Sequence, residues 1–226
     1  GRFDETELSP GLQAACDQMW GEHLTAAQIV DRIVDYVRRV GDEALLYFTN
    51  TIDRADLTAE TLRVTEREFD EARTLVDPKV VDSMTRAIMN VKKFHEEQMP
   101  KSWITNRAHG SILGQKITPL DSVGIYVPGG TAAYPSSVIM NAVPAKVAGV
   151  SRIVMAAPPG KDGKLNPYVL VTAEKIGITE IYKMGGAQAI AALAFGTATV
   201  PKVNKITGPG NIYVALTYVD DNGIIK

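Results

Sequence analysis

Three stretches of the chain carry residue types that could hold a ligand. In Gly185-Gly186-Ala187-Gln188 a glycine pair follows a strand-like run, Thr179 to Met184, and leads into the apolar run Ala189 to Gly196. Glycines there let the backbone turn sharply and approach a ligand closely, and the amides that open a helix suit a polar or anionic group. Gln188 is the one polar side chain at that helix start and can hydrogen-bond something arriving from outside. The same residues also fit a tight turn that binds nothing. Gly208-Pro209-Gly210-Asn211 offers a second turn, in which Asn211 is suited to cap a helix while its amide could equally reach a ribose or phosphate. Tyr126 stands just before Pro128-Gly129-Gly130, where an aromatic ring either stacks on a bound ring or fills the core.

Other chemistry is poorly supplied. Gly208-Pro209-Gly210-Asn211-Ile212-Tyr213 has tyrosine where the usual dinucleotide fingerprint needs its third glycine, and no phosphate-binding loop with a Gly-Lys-Ser/Thr ending is present. The three histidines, His23, His95 and His109, lack the spacing of a helical metal site. His95 falls near a helix end, where a cation suits the helix dipole, and the other two read as solvated. Asp42-Glu43, Glu96-Glu97 and Asp220-Asp221 read as charged surface or helix starts. No metal ligand and no catalytic residue is assigned in this chain.

Local patterns indicate what must position the ligand-binding stretches. Thr25 and Gln28 form a capping box ahead of Ile29, Ile33, Val37 and Val40 at helical spacing, with Gly41 as the stop. A short helix follows over 42–49. Thr65 and Glu68 repeat the capping box, and Asp77-Pro78 predicts a long helix burying Val80, Met84, Ile88 and Val91. Residues 112–117 and 122–127 read as strands. From there strands over 124–127, 152–157, 178–184 and 203–207 each run into a glycine turn, with helices over 136–149 and 166–176 and after Gly186. That alternation predicts a parallel sheet with right-handed crossovers, helices on both faces, and a ligand outside the carboxyl ends of the strands.

Composition bounds the partners. With 24 basic and 26 acidic residues the formal net charge is −2, so no field favours nucleic acid or an anionic membrane. The single cysteine, Cys16, excludes an internal disulfide and a Cys-x-x-Cys motif, which fits a reducing cytoplasm. The polar, acidic start is unlike a secretory signal, and no run of about 18 apolar residues could cross a bilayer.

The run Val123-Gly124-Ile125-Tyr126-Val127-Pro128-Gly129-Gly130, then Ala157-Pro158-Pro159, then Gly185 to Thr197, Val200-Pro201-Lys202-Val203 and Gly208-Pro209-Gly210-Asn211 resembles histidinol dehydrogenase in order and spacing. The agreement extends from Ile29 to Val214 and includes Gly41-Asp42-Glu43-Ala44-Leu45. The resemblance implies an α/β fold, with a helical N-terminal region followed by a doubly wound, Rossmann-like parallel sheet domain. It divides the chain into 1-122, helical with the first strands of an incomplete α/β domain, and 123-226, an NAD-binding domain. It also implies a cytoplasmic, zinc-containing homodimer that uses two NAD molecules in turn to oxidise L-histidinol to L-histidine through an aldehyde, the last step of histidine biosynthesis. Tyr126, Gln188 and Asn211 are the positions it assigns to NAD.

The family's zinc ligands and Glu-His catalytic pair match positions beyond Lys226, so the chain is expected to be a C-terminally truncated, cofactor-binding half, inactive alone. Faces such as Val80, Met84, Ile88 and Val91 would then lack partners, and self-association or aggregation is expected. Two alternatives remain open at this point. Related dehydrogenases oxidise other small alcohols, including sulfonated diols, and a short chain could serve as a non-catalytic nucleotide-binding module.

Overall fold

The computed structural model describes residues 16, 17, 19–129, 134–210, 214 and 217. The helical part begins with α1, Ala26–Val40, where Thr25 and Gln28 complete the capping box and Gly41, at φ 75°, ends the helix. Helix α2, Asp42–Ile52, starts directly after it with Asp42 and Glu43 in its first turn. A short helix α3, Ala59–Leu62, leads to α4, Glu66–Leu75, capped by the box of Thr65 and Glu68. Helix α5, Pro78–Glu97, opens with the Asp77 carboxylate accepting from the Lys79 N–H. Except at α2, whose N-cap is Gly41, each start falls where a side chain can satisfy amides that the helix leaves unpaired.

The expected burial of α5 is corrected. Only Met84 is buried on this helix, Val80 is exposed, Ile88 and Val91 are half-buried, and Val81 packs against the core in place of Val80. The helix rests on its neighbours through a narrow stripe, so its apolar residues do not all face inward. The strand expected over residues 112–117 is present over 112–115. Strand β2, Ile112–Gln115, pairs antiparallel with β1, Trp103–Asn106, in a separate two-stranded ribbon, and takes no part in the parallel sheet.

The four-stranded sheet comprises β3, Ser122–Tyr126, β4, Arg152–Ala157, β5, Glu180–Lys183, and β6, Lys205–Thr207, in the order β5-β4-β3-β6. All three pairings are parallel. The crossovers carry α6, Pro135–Val147, α7, Pro167–Ile176, and α8, Gly186–Phe195. Sheet order runs outward one way from β3 and then resumes on its other side at β6, which is the doubly wound arrangement expected.

Alternation along β3 divides the core in two. Val123, Ile125 and Val127 point to one face, with Met155, Ile181, Leu170 and Val138. Tyr126 points to the other, with Val154, Tyr182, Leu193 and the buried sides of α1 and α2. The helices before the sheet therefore complete both of its faces: α1 and α2 pack on α8, while α4 and α5 pack on α7. Gly124 allows α8 to sit close, since a Cβ there would lie 3.1 Å from both Leu193 and Val203. No helix among the described residues is long and apolar enough to cross a membrane.

Candidate functional site

The turns that follow β3, β4 and β5 meet at the carboxyl edge of the sheet, and their glycines are required by one another. A Cβ on Gly129 would come within 2.3 Å of Pro158, and one on Gly185 within 2.5 Å of it. After β6, Gly208 presses on the Tyr126 backbone so closely that a Cβ would lie 2.2 Å from its carbonyl oxygen. Gly186 takes φ +58°, the left-handed region that favours glycine, as the chain turns into α8.

Tyr126 is buried, and its hydroxyl accepts a hydrogen bond from the Gly186 N–H at 3.1 Å. The ring thus fills the core while the phenol oxygen occupies the first amide of α8. Burial pushes the phenol pKa up, the nearby Asp53 charge adds to this, and the Gly186 N–H opposes it. That amide is already engaged, so a phosphate seated on the α8 start would compete with Tyr126.

Gln188 does not reach outward as its sequence position suggested. It is 1% exposed, because α8 is covered on every side from Ala187 to Ala194. Its Nε2 makes a long hydrogen bond of 3.4 Å to Asp53 Oδ2, and its Oε1 has no partner among the described residues. Tyr126 and Gln188 are thereby brought to the same turn, one on the Gly186 amide and one beneath it. Asn211, the third expected contact, lies outside the described residues.

Asp53 is the site residue that sequence reasoning missed. It follows α2 as its C-cap, its N–H bonded to the Thr49 carbonyl. Asn50 holds the outgoing segment by bonding both the N–H and the carbonyl of Leu57 at 2.9 Å, and Arg54 takes φ +56° to turn the chain. Burial raises the Asp53 pKa from 3.8 to about 7, only partly offset by a hydrogen bond from the Gly185 backbone. One signal could have found it: a carboxylate at a helix C-terminus opposes the dipole and needs another reason to be there.

Asp53 also borders an open cavity of about 570 Å³ between the turns after β3 and β4, lined among others by Pro128, Tyr134, Pro158, Lys161 and Asn166. Glycine turns and a wall of mixed apolar and polar groups make this edge a candidate place for a small molecule. The histidines stand apart from it. His95 makes an edge contact with Phe94 on α5, His109 sits in a turn at φ 66°, and His23 lies 3.5 Å from Asp17. Among the described residues no group of three or more His, Cys, Asp and Glu could hold a metal ion.

Comparison with known proteins agrees on one family. A family model described as histidinol dehydrogenase matches residues 20–219. The histidinol dehydrogenase of Bacillus licheniformis is 58% identical over 184 residues, covering 81% of this chain and 43% of that protein. The histidinol dehydrogenase of a Synechococcus species is 51% identical over 211 residues, covering 93% of this chain and 49% of the relative. A crystal structure of histidinol dehydrogenase from Elizabethkingia anophelis superposes with a TM-score of 0.80 at 38% identity, over 85% of this chain and 44% of that one. The chain spans about half the length of the curated relatives it matches.

Proposed function

Because this chain belongs to the histidinol dehydrogenase family, we propose that it forms the NAD-binding part of an enzyme that oxidises L-histidinol to L-histidine through L-histidinal, completing histidine biosynthesis. The observation that carries this reading is the meeting of the turns after β3, β4 and β5 at the carboxyl edge of the parallel sheet, where such sheets bind their ligands. Gln188 lies at the start of α8 beneath that edge, with Oε1 unpaired among the described residues. The adjoining cavity, of about 570 Å³, offers apolar walls with Asp53, Lys161, Asp162, Lys164 and Asn166 among its polar groups.

NAD, when bound, accepts the hydride. This chain's own residues bind and orient it: Gln188 through its amide, Tyr126 by bracing the Gly186 turn, and Asn211 as the third anchor. The described residues do not fit zinc, so no step is routed through a metal here. Assembly of the whole enzyme as a cytoplasmic homodimer belongs to the same proposal.

Calorimetric titration tests the reading. The chain should bind NAD with micromolar affinity, and Gln188→Ala should weaken it at least tenfold; absence of NAD binding by the wild-type chain would overturn the assignment. Given histidinol, NAD and zinc, the 226-residue polypeptide alone should produce no NADH. Appreciable turnover would show that the chemistry resides in this half.

A further inference from the structure

In dinucleotide-binding sheets of this winding, an acid beyond the first strand and turn bonds the 2′-hydroxyl of the adenosine ribose, whereas a base there accommodates a 2′-phosphate. Here β3 is the first strand of the winding and β4 lies beside it. The loop after β4 lines the open cavity with Gly160, Lys161, Asp162 and Lys164, together with Pro128 and Gly129 from the turn after β3. An acid and two bases thus stand where a ribose would be read, and their partners separate them.

The loop is closed by its own hydrogen bonds. The Gly160 N–H donates to the Lys164 carbonyl and the Gly163 N–H to the Gly160 carbonyl, each at 2.9 Å, with Gly163 at φ +70°. The Lys164 N–H donates to Asp162 Oδ1 at 3.1 Å, and a Cβ on Gly160 would lie 2.8 Å from that oxygen. One oxygen therefore fixes the Asp162 carboxylate over the turn. Its Oδ2 makes no hydrogen bond among the described residues, and the residue is exposed at the cavity. The cavity's other carboxylate next to these turns, Asp53, is already engaged by the Gly185 backbone and the Gln188 amide.

A phosphate finds less here than a hydroxyl does. Lys164 is paired with Glu71 at 2.7 Å, which leaves Lys161 as a single exposed ammonium beside Asp162. The start of α7, also on the cavity, has no amide to spare: Pro167 lacks an N–H, Tyr168 donates to Asn166 Oδ1 at 2.9 Å, and Val169 and Leu170 donate to the Asn166 carbonyl. We propose that Asp162 is the residue that selects NAD over NADP. Its Oδ2 accepts a hydrogen bond from the ribose 2′-hydroxyl, and its charge turns away the 2′-phosphate that distinguishes NADP. The inference rests on the reading of this sheet edge as the NAD site.

The test is calorimetric titration of the protein with NAD and with NADP, in wild type and in Asp162→Asn, which removes the charge but keeps an oxygen for the Lys164 N–H. Wild type should bind NAD tighter than NADP by about tenfold or more, because NADP brings like charges together. Asp162→Asn should raise NADP affinity by about tenfold and change NAD affinity by about threefold or less, since the asparagine oxygen still accepts from the 2′-hydroxyl. Equal binding of the two cofactors by wild type, or a preference that Asp162→Asn leaves unchanged, would overturn the role of Asp162 and leave the NAD site standing. Failure of wild type to bind either cofactor would overturn the cofactor reading and this inference with it.

Discussion

The Tyr126 hydroxyl accepts the Gly186 N–H at 3.1 Å across a sequence separation of 60 residues, tying the end of β3 to the first turn of α8. Tyr126→Phe removes the acceptor and leaves a part-buried amide unpaired, which costs about 1 kcal/mol. Urea unfolding should show the loss as a lower midpoint with an unchanged slope, because the amount of surface exposed on unfolding is the same.

Gly186 serves both backbone and ligand. At φ +58° an alanine is strained by about 1–2 kcal/mol, and its Cβ would meet Gln188 Oε1 at 2.8 Å. Gly186→Ala should therefore lose stability and also weaken NAD binding by more than tenfold. Gly163→Ala, also at positive φ but with its Cβ only 3.4 Å from Leu57, should lose stability while keeping NAD affinity. Paired melts and titrations of the two variants separate strain from site.

Lys183 lies at the end of β5 with its ammonium 2.8 Å from Glu68 Oε1, and the two side chains are 6% and 15% exposed. Glu68 Oε2 meanwhile accepts from Thr65 in the capping box that starts α4, so one carboxylate joins a helix cap to the sheet. Lys183→Met strands a buried charge, for which the expected cost is about 3–5 kcal/mol. The double change Lys183→Met with Glu68→Leu should recover most of that loss, read from chemical denaturation.

Asp53 links stability to pH with a defined sign. The carboxyl ionises near 3.8 in the unfolded chain and near 7 in the fold. Between these values the fold binds a proton that the unfolded chain has released, so stability falls as pH rises. The favourable contribution is complete below about pH 3.8 and gone above about pH 7. At about 1.4 kcal/mol per pH unit the limit over this window is about 4 kcal/mol, reduced because the group borders an open cavity. Urea midpoints at pH 5 and pH 8 should differ in wild type and differ less in Asp53→Asn.

Exposed apolar residues gather on the ribbon and on α5: Trp103, Ile104, Ile112 and Leu113 on the first, Met89 and Phe94 on the second. Light scattering of the chain should show concentration-dependent association, and Ile104→Glu with Leu113→Lys should reduce it without lowering stability. The stripe expected at Val80, Ile88 and Val91 is thereby displaced, since those residues lie nearer the packed side of the helix or on its rim.

Local signals were legible because local physics makes them. Capping boxes at Thr25 and Thr65, proline after Asp77, and the repeated strand, glycine turn and helix each depend on residues within a few positions of one another. Those signals determined the element order, the doubly wound sheet and the family. Gln188 was legible as a polar side chain at a helix start. Its burial was not, because apolar neighbours along α8 indicate only that the helix is covered, not what covers it.

Tertiary structure alone decided the rest. Asp53 and Gln188 are 135 residues apart and belong to elements with no shared local pattern. They meet because α2 packs on α8, and burial in that packing raises the pKa of the acid to about 7. The glycines at 129 and 185 read in sequence as room for a ligand, whereas in the fold their first duty is to Pro158. Sequence determines which face of an element is apolar and where the chain turns. Which faces meet, and hence which polar groups lose water together, is settled by packing across the whole chain.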